Sequence, residues 1–330
     1  MSWLITGGAG YIGSHVVRAF HEHGIDVVVV DDLSSGHREF VGPDVPFVKG
    51  SILDGELLRT TMSDHQVTGV MHIAGFKYAG VSVKRPIHTY EQNVVGTATL
   101  LAAMEEAGIT SIVFSSSASV YGTPSVEVVT ESTPTQPESP YGETKLIGEW
   151  LLRDQEAAIG LRHTSLRYFN VVGSGYPDLY DSSPHNLLPL VFEALLRGEV
   201  PCINGDDYPT PDGTCVRDYI HVADLARAHV VAAERLIDHV ALEPVYNLGS
   251  GTGSSVREIM TSIGDATGFD FTPAIGPRRP GDPARIVASG QLAARDLDWA
   301  MRHTVEEMVE SAWMAARRHD EVGDGEGTAR

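Results

Sequence analysis

The sequence predicts an α/β fold: a doubly wound, mostly parallel sheet with a smaller C-terminal α/β part that faces a ligand. Three observations carry this expectation. Short apolar runs alternate with helical patterns from residue 3 to residue 168, and strands separated by helices pair in parallel because each crossover returns along the sheet face. A glycine-rich turn, Gly7-Gly-Ala-Gly-Tyr-Ile-Gly13, joins the first strand to the first helix. After Asn170 the alternation weakens into Gly- and Pro-rich loops at 173–184 and 204–213, where a second part begins.

Taken in order, the apolar run 3–6 is a strand, 12–23 a helix by its apolar spacing, and the four valines 27–30 a second strand. Strands at 46–49, 69–73, 110–115 and 163–168 follow, separated by helices at 54–62, 86–107 and 140–159. Further on, 219–236 is expected as a helix and 245–248 as a strand returning to the main sheet. The division is therefore discontinuous: 1–168 with about 216–248 form the larger unit, and 169–215 with 249–330 the smaller. Helices at 255–267 and 305–317 are amphipathic, Met308, Trp313 and Met314 forming an apolar stripe of the core kind. The polar tail 319–330 is expected to fray.

Composition narrows the function classes. A chain of 330 residues, 42% hydrophobic and 21% charged, can bury a full core and fits neither disorder, collagen nor coiled coil. The net charge of −20, with no dense basic run, argues against nucleic-acid and anionic-membrane partners. Cys202 and Cys215 have no zinc or redox spacing, so no metal site is expected. Without a leader pattern at the start or ~18 consecutive apolar residues anywhere, a soluble cytoplasmic protein is expected.

Two stretches carry chemistry. The glycine turn satisfies G-x-G-x-x-G through Gly8, Gly10 and Gly13, and G-x-x-G-x-x-G through Gly7, Gly10 and Gly13. Because it follows a strand and opens a helix, backbone N–H groups at the helix N-terminus can face a pyrophosphate. Asp31, eighteen residues after Gly13, ends the second strand where a carboxylate can accept hydrogen bonds from an adenosine ribose. Asp31 and Asp32 would repel a 2′-phosphate, which favours NAD over NADP. The second stretch is Ser139-Pro-Tyr-Gly-Glu-Thr-Lys145, with Tyr141 and Lys145 one turn apart on one helix face. A cation there is expected to lower the tyrosine pKa from ~10 and make it a base.

With these stretches assembled, the chain resembles the extended short-chain dehydrogenase/reductase family, with its Rossmann-type sheet, and within it the UDP-glucose (UDP-galactose) 4-epimerase group. The matching stretches are GGAGYIGSH at 7–15, IAGFKYAGVSV at 73–83, FSSSASVYG at 114–122, SPYGETK at 139–145, LRYFN at 166–170, DYPTPDGTCVRDYIHV at 207–222, YNLGSGTG at 246–253 and PRRPGD at 277–282. The resemblance implies Tyr141 as catalytic base, Lys145 as its support, and Ser117 as the group that orients the reacting sugar hydroxyl. It implies NAD contacts from Gly7, Gly10, Tyr11, Ile12, Gly13, Asp31, Asp32, Leu33, Ser34, Ser35, Gly36, Ser51, Ile52, Ile73, Ala74, Gly75, Lys77, Asn93, Ser115 and Phe169. For a UDP-sugar it implies Ser117, Asn170, Asn186, Leu187, Cys202, Ile203, Asn204, Arg217, Arg279, Asp282 and Ile286. The arginines suit a diphosphate, whose oxygens match guanidinium forks. A homodimer through the 86–107 and 140–159 helices is also implied.

The chain departs from the family pattern at three places. Ser51 stands where the family commonly has an aspartate at the adenine, Asp32 where an asparagine is frequent, and the loop after Asn170 is short. Two other readings compete with interconversion of UDP-galactose and UDP-glucose. A dehydratase or decarboxylase would want Asp or Glu where Ala118 and Ser119 stand. A non-catalytic NAD-sensing regulator would have lost Tyr141 or Lys145. Epimerisation of other UDP-hexoses, such as UDP-N-acetylhexosamines, stays open at Ile286, where relatives restricted to unmodified sugars often have a tyrosine.

Overall fold

The four valines of the strand β2 (Asp26–Asp31) are all buried, as a central strand covered on both faces requires. The computed structural model describes residues 2–279 and 282–327. Around β2 lie β1 (Ser2–Thr6), β3 (Phe47–Lys49), β4 (Val67–His72), β5 (Ser111–Ser115) and β6 (Arg162–Tyr168). Four short strands follow in the chain: β7 (Asn170–Val172), β8 (Cys202–Asn204), β9 (Val216–Arg217) and β10 (Tyr219–His221). The strand β11 (Val245–Leu248) returns to the edge of the main sheet, whose order is β11-β6-β5-β4-β1-β2-β3. Every pairing in it is parallel. The order reverses between β1 and β4, which opens a crevice at the carboxyl ends of the strands.

Alternating side chains split the core in two. Trp3, Ile5, Val29, Met71 and Val113 pack on one face against α1 (Tyr11–Glu22) and a later helix at Val222–Ile237. Leu4, Val28, Val30, Ile112 and Phe114 pack on the other face, with Leu58 of α2 (Gly55–Asp64). Leu100 and Leu152 join that second cluster. They come from helices that follow a single turn, α3 (Ala79–Ser82), and a short α4 (Pro86–Tyr90): α5 (Gly96–Ala107) and α6 (Pro140–Ile159).

The structure corrects four expectations. The helix expected over 86–107 is interrupted by a π-helical segment, Glu91–Val95, where the buried Asn93 turns inward to bind the backbone of Phe76. Residues 219–221 are not helical: β10 pairs with β7, and α8 (Val222–Ile237) starts after His221, whose side chain caps it by accepting from Ala223 N–H at 3.0 Å. Between β7 and α8 the sequence analysis missed α7 (Leu187–Leu196), whose run Leu187-Leu-Pro-Leu-Val-Phe192 is apolar all round and shows no helical period. The late helices are α9 (Val256–Thr267), α10 (Gln291–Leu297) and α11 (Val305–Gly327). The last continues ten residues beyond the expected end at 317, and of the tail expected to fray, 328–330 lie outside the described residues.

Three further strands complete the smaller part: β12 (Ser254–Ser255), β13 (Ala274–Gly276) and β14 (Arg285–Ile286). They form two small sheets, β13-β8 and β12-β9-β14. Asp218 knots this region together. Its buried carboxylate accepts from Ser250 N–H at 2.8 Å and from Ala288 N–H at 3.0 Å, joining three segments remote in sequence.

Candidate functional site

The candidate dinucleotide side, as named from the sequence, is built by backbone constraint. Gly7 has φ +75°, and a Cβ there would lie 2.7 Å from Ala74 N, while a Cβ on Gly13 would lie 2.0 Å from the Gly7 carbonyl oxygen. Only glycine lets the turn close so tightly on the start of α1. Gly10 caps α1 with no side-chain hydrogen bond, so the first-turn N–H groups of Tyr11, Ile12 and Gly13 point toward the turn. A polar, glycine-walled helix N-terminus of this kind fits a pyrophosphate. Asp31 sits at the end of β2, where its two oxygens accept from Ala9 N–H at 3.0 Å and Leu33 N–H at 2.8 Å. The carboxylate thereby fixes the 31–36 loop onto the glycine turn, and each oxygen keeps a lone pair for a ribose hydroxyl. Burial pushes its pKa up, and the two N–H donors pull it back.

Other sequence-named residues on this side are also held in place. The Ser51 hydroxyl accepts from Leu53 N–H at 3.2 Å, and Ile52 is buried against Gly96. Asn93 accepts from Phe76 N–H at 2.6 Å and donates to Thr144 Oγ1 at 2.9 Å, clamping the 73–77 loop to α6. Lys77 is exposed beside this loop, close enough to Asp31 to help hold it ionised. Asp32, Ser34 and Ser35 are exposed on the rim; Leu33 and Gly36 are half-buried there. Ile73 and Phe169 pack at the edge of the core, while the Tyr11 hydroxyl donates to the Gly173 carbonyl at 2.6 Å.

Tyr141, Ser117 and Lys145, the residues named from the sequence as the reacting groups, meet at the end of β5. Pro140 opens α6, and Ser139 caps it by accepting from Gly142 N–H at 3.2 Å, which fixes the entry angle of Tyr141. The Tyr141 hydroxyl faces Ser117, whose side chain works against the burial-driven rise of the Tyr141 pKa and caps a 3₁₀ turn at Ala118–Tyr121 by accepting from Ser119 N–H at 3.2 Å. Lys145 Nζ donates to the Ser115 carbonyl at 2.8 Å and lies 5.8 Å from the centre of the Tyr141 ring. Burial lowers Lys145 to about 8, with the Glu149 carboxylate pulling the other way. The expectation that Lys145 lowers the Tyr141 pKa is not met. Burial raises Tyr141, the Ser117 side chain opposes that rise, and the ammonium is engaged by a backbone carbonyl and the ring face instead of the hydroxyl.

The sequence analysis missed the layer beneath. Glu149, one turn beyond Lys145, forms a bidentate ion pair with Arg167 of β6, at 2.8 and 2.6 Å, and accepts from Ser116 Oγ at 2.5 Å. Arg167 Nη1 donates to the Tyr121 hydroxyl at 2.8 Å, which donates to Asn247 at 2.7 Å. All five side chains are buried. The signal was present: Tyr141, Lys145 and Glu149 are spaced four apart on one helix face.

Of the residues named from the sequence for the substrate side, Cys202, Ile203, Asn204, Arg217, Arg279, Asp282 and Ile286 are placed by the two small sheets and the segment between them. Cys202, Ile203 and Asn204 form β8, whose partner β13 leads directly to Arg279 and Asp282. With its amide turned, the Asn204 oxygen accepts from both Nε and Nη2 of Arg279 at 3.2 Å. Arg217 in β9 pairs with Ile286 in β14 and donates to Asp282 at 2.6 Å. Ile286 packs against the buried cluster of Val120, Tyr121, Val129, Leu146 and Ala288, which includes the turn that follows Ser117. Ile203 points into the core and Cys202 is exposed. Asn170 lies at the start of β7, and Asn186 caps α7 ahead of Leu187 while donating to Asp181 at 2.6 Å. The motif Pro-Arg-Arg-Pro-Gly-Asp is described except for Pro280 and Gly281, which lie outside the described residues.

Comparison with known proteins places the chain. The model of the NAD dependent epimerase/dehydratase family matches residues 3–249. A UDP-glucose 4-epimerase of Corynebacterium glutamicum is 42% identical over 317 residues, 95% of each chain. The crystal structure of UDP-glucose 4-epimerase from Brucella ovis in complex with NAD superimposes with a TM-score of 0.90 at 41% identity, covering 94% of this chain and 97% of the other. That of the Stenotrophomonas maltophila enzyme, with bound NAD and formylated UDP-arabinopyranose, gives 0.93 at 38% identity, covering 98% and 99%. A glycine turn built for a pyrophosphate, a Tyr–Ser–Lys centre at the end of β5 and near-complete coverage by such relatives agree: the chain belongs to the NAD dependent epimerase/dehydratase family.

Proposed function

We propose that this chain interconverts UDP-galactose and UDP-glucose. The carrying observation is the meeting of Tyr141, Ser117 and Lys145 at the carboxyl end of β5. Tyr141 takes the proton from the sugar C4 hydroxyl and returns it once the sugar has presented its other face, and Ser117 orients that hydroxyl. Lys145 holds a buried positive charge beside the phenol. NAD, which the glycine turn and Asp31 would hold, would supply reversible two-electron chemistry at C4, so no net redox would result. Arg217 and Arg279 grip the diphosphate, each keeping N–H donors beyond those spent on Asp282 and Asn204.

Several features of the chain accord with this reading. Ala118 and Ser119 occupy the turn after Ser117, so the acid a dehydratase would use there is missing from both positions. The remaining NAD contacts named from the sequence, and the discontinuous division of the chain into NAD and sugar parts, belong to the same proposal. So does a homodimer through the 86–107 and 140–159 helical stretches, on which Ile87, Val95 and Trp150 present apolar surface to solvent. We assign the protein to the cytoplasm: both cysteines are free, and no described helix is long and apolar enough to cross a membrane.

Incubation with UDP-galactose followed by sugar analysis tests the reaction. UDP-glucose is expected; a keto-sugar would indicate a dehydratase, and unchanged substrate a non-catalytic protein. Light scattering tests the dimer, and a monomer would refute it.

A further inference from the structure

The buried pair Glu149–Arg167 takes no part in the proton transfer, yet it is tied to the serine triplet that does. Ser115 presents its carbonyl to Lys145, and Ser117 its hydroxyl to Tyr141. Between them Ser116 is held twice: its N–H donates to the Leu166 carbonyl at 2.9 Å, and its hydroxyl to Glu149 at 2.5 Å. The peptide that turns the Ser115 carbonyl toward Lys145 is the one whose N–H belongs to Ser116. Glu149 follows Lys145 by one turn of α6, so this hydrogen bond clamps the helix carrying Tyr141 and Lys145 onto the strand end carrying Ser115 and Ser117. Arg167, bidentate on Glu149, stops the carboxylate from swinging away.

We propose that Ser116 and Glu149 are positioning residues that set the distance and orientation of Tyr141 and Lys145 relative to Ser115 and Ser117. The Glu149 charge has a second part. The groups around the Lys145 ammonium are Tyr141 and Glu149 on α6, Phe114 and Ser115 on β5, and His72 on β4. Glu149 is the anion among them, and it holds Lys145 protonated against burial. Burial also keeps His72 neutral at ordinary pH by lowering it to about 3.

The proposal rests on the epimerase reading, whose own failure would appear as an inactive wild type. With wild-type turnover of UDP-galactose established on the NAD-loaded full chain, Ser116→Ala keeps its Cβ and loses only the hydroxyl. Loosening the pair is expected to lower kcat about 10-fold or more with KM within twofold. Ser165→Ala, which removes a buried hydroxyl with no hydrogen-bond partner, is the control and keeps wild-type kcat. Glu149→Gln still accepts from Ser116 but carries no charge, so the alkaline limb of kcat moves to lower pH as Lys145 loses its proton sooner. Wild-type kcat in Ser116→Ala, or a loss equal to that of Ser165→Ala, would overturn the positioning role. An unmoved alkaline limb in Glu149→Gln would overturn the electrostatic one.

Discussion

Lys145→Met separates what the active centre needs from what the fold prefers. The ammonium is buried, and its drop from the ordinary 10.5 to about 8 makes the charged form roughly 3 kcal/mol costlier in the fold than in the open chain. Methionine of similar length removes that cost but leaves the Ser115 carbonyl without its 2.8 Å donor, a loss of about 1–2 kcal/mol. Glu149 stays paired with Arg167, so no buried charge is stranded. The net expectation is a gain of about 1–2 kcal/mol at pH 7, or a Tm higher by roughly 1.5–3 °C at this size. The sign with pH follows from proton counting. Between about 8 and 10.5 the unfolded chain binds the proton that the folded one has lost, so wild-type stability rises with pH through that window. The advantage of methionine is therefore complete below pH 8 and fades toward 10.5. Thermal melts of NAD-free wild type and variant at pH 7 and 9.5 test this, alongside a fall in epimerisation of at least about 100-fold. A variant that melts below wild type at pH 7, or by the same margin above it at both pH values, would refute the reasoning.

Three further outcomes are expected. Tyr141→Phe loses only a hydroxyl that faces Ser117, so turnover should fall by ~10² to 10⁴ with NAD binding retained; more than half of wild-type activity would remove Tyr141 as the base. The purified protein should carry NAD and need no added oxidant, because the glycine turn and Asp31 are both in place. Acid extraction and nucleotide quantification check this, and a nucleotide-free protein active only with stoichiometric NADPH would contradict it. Ile286, half-buried beside the Ser117 turn, should allow slow epimerisation of UDP-N-acetylglucosamine. Ile286→Tyr should reduce that far more than UDP-galactose turnover, since a pocket discriminates bulk by ~1–3 kcal/mol per methylene-sized change. Equal loss on both sugars would show that Ile286 is not the gate.

The part of the fold that was legible in the sequence is the part made by local patterns. The strand–turn–helix of residues 2–22, the valines of β2 and the Pro140 start of α6 are each specified within about twenty residues, and the structure places all three as expected. Where the local pattern conflicts with long-range pairing, the reading failed. Tyr219-Ile-His221 adjoins a strong helical run, yet its backbone is claimed by Asn170–Val172, almost fifty residues earlier. The π segment at Glu91–Val95 was illegible for a similar reason: nothing near Asn93 announces that its side chain will be needed by Phe76 and Thr144.

The same distinction explains the candidate site. Tyr141, Lys145 and the glycine turn are short motifs whose spacing alone suggests their chemistry. Arg217, Arg279 and Asp282 have no such spacing, and they meet because β8 pairs with β13 and β9 with β14, segments about seventy residues apart. Their pairing also limits what they can do. Arg217 holds Asp282 at 2.6 Å, so a diphosphate that draws Arg217 away would leave a half-buried carboxylate short of its cation. Binding that keeps the pair costs less than binding that breaks it, since parting an exposed Arg–Asp pair costs under about 1 kcal/mol but parting a partly buried one leaves a desolvated charge uncompensated and costs more. The diphosphate is therefore expected to take the guanidinium edge that Asp282 leaves free, with Asp282 serving to aim Arg217.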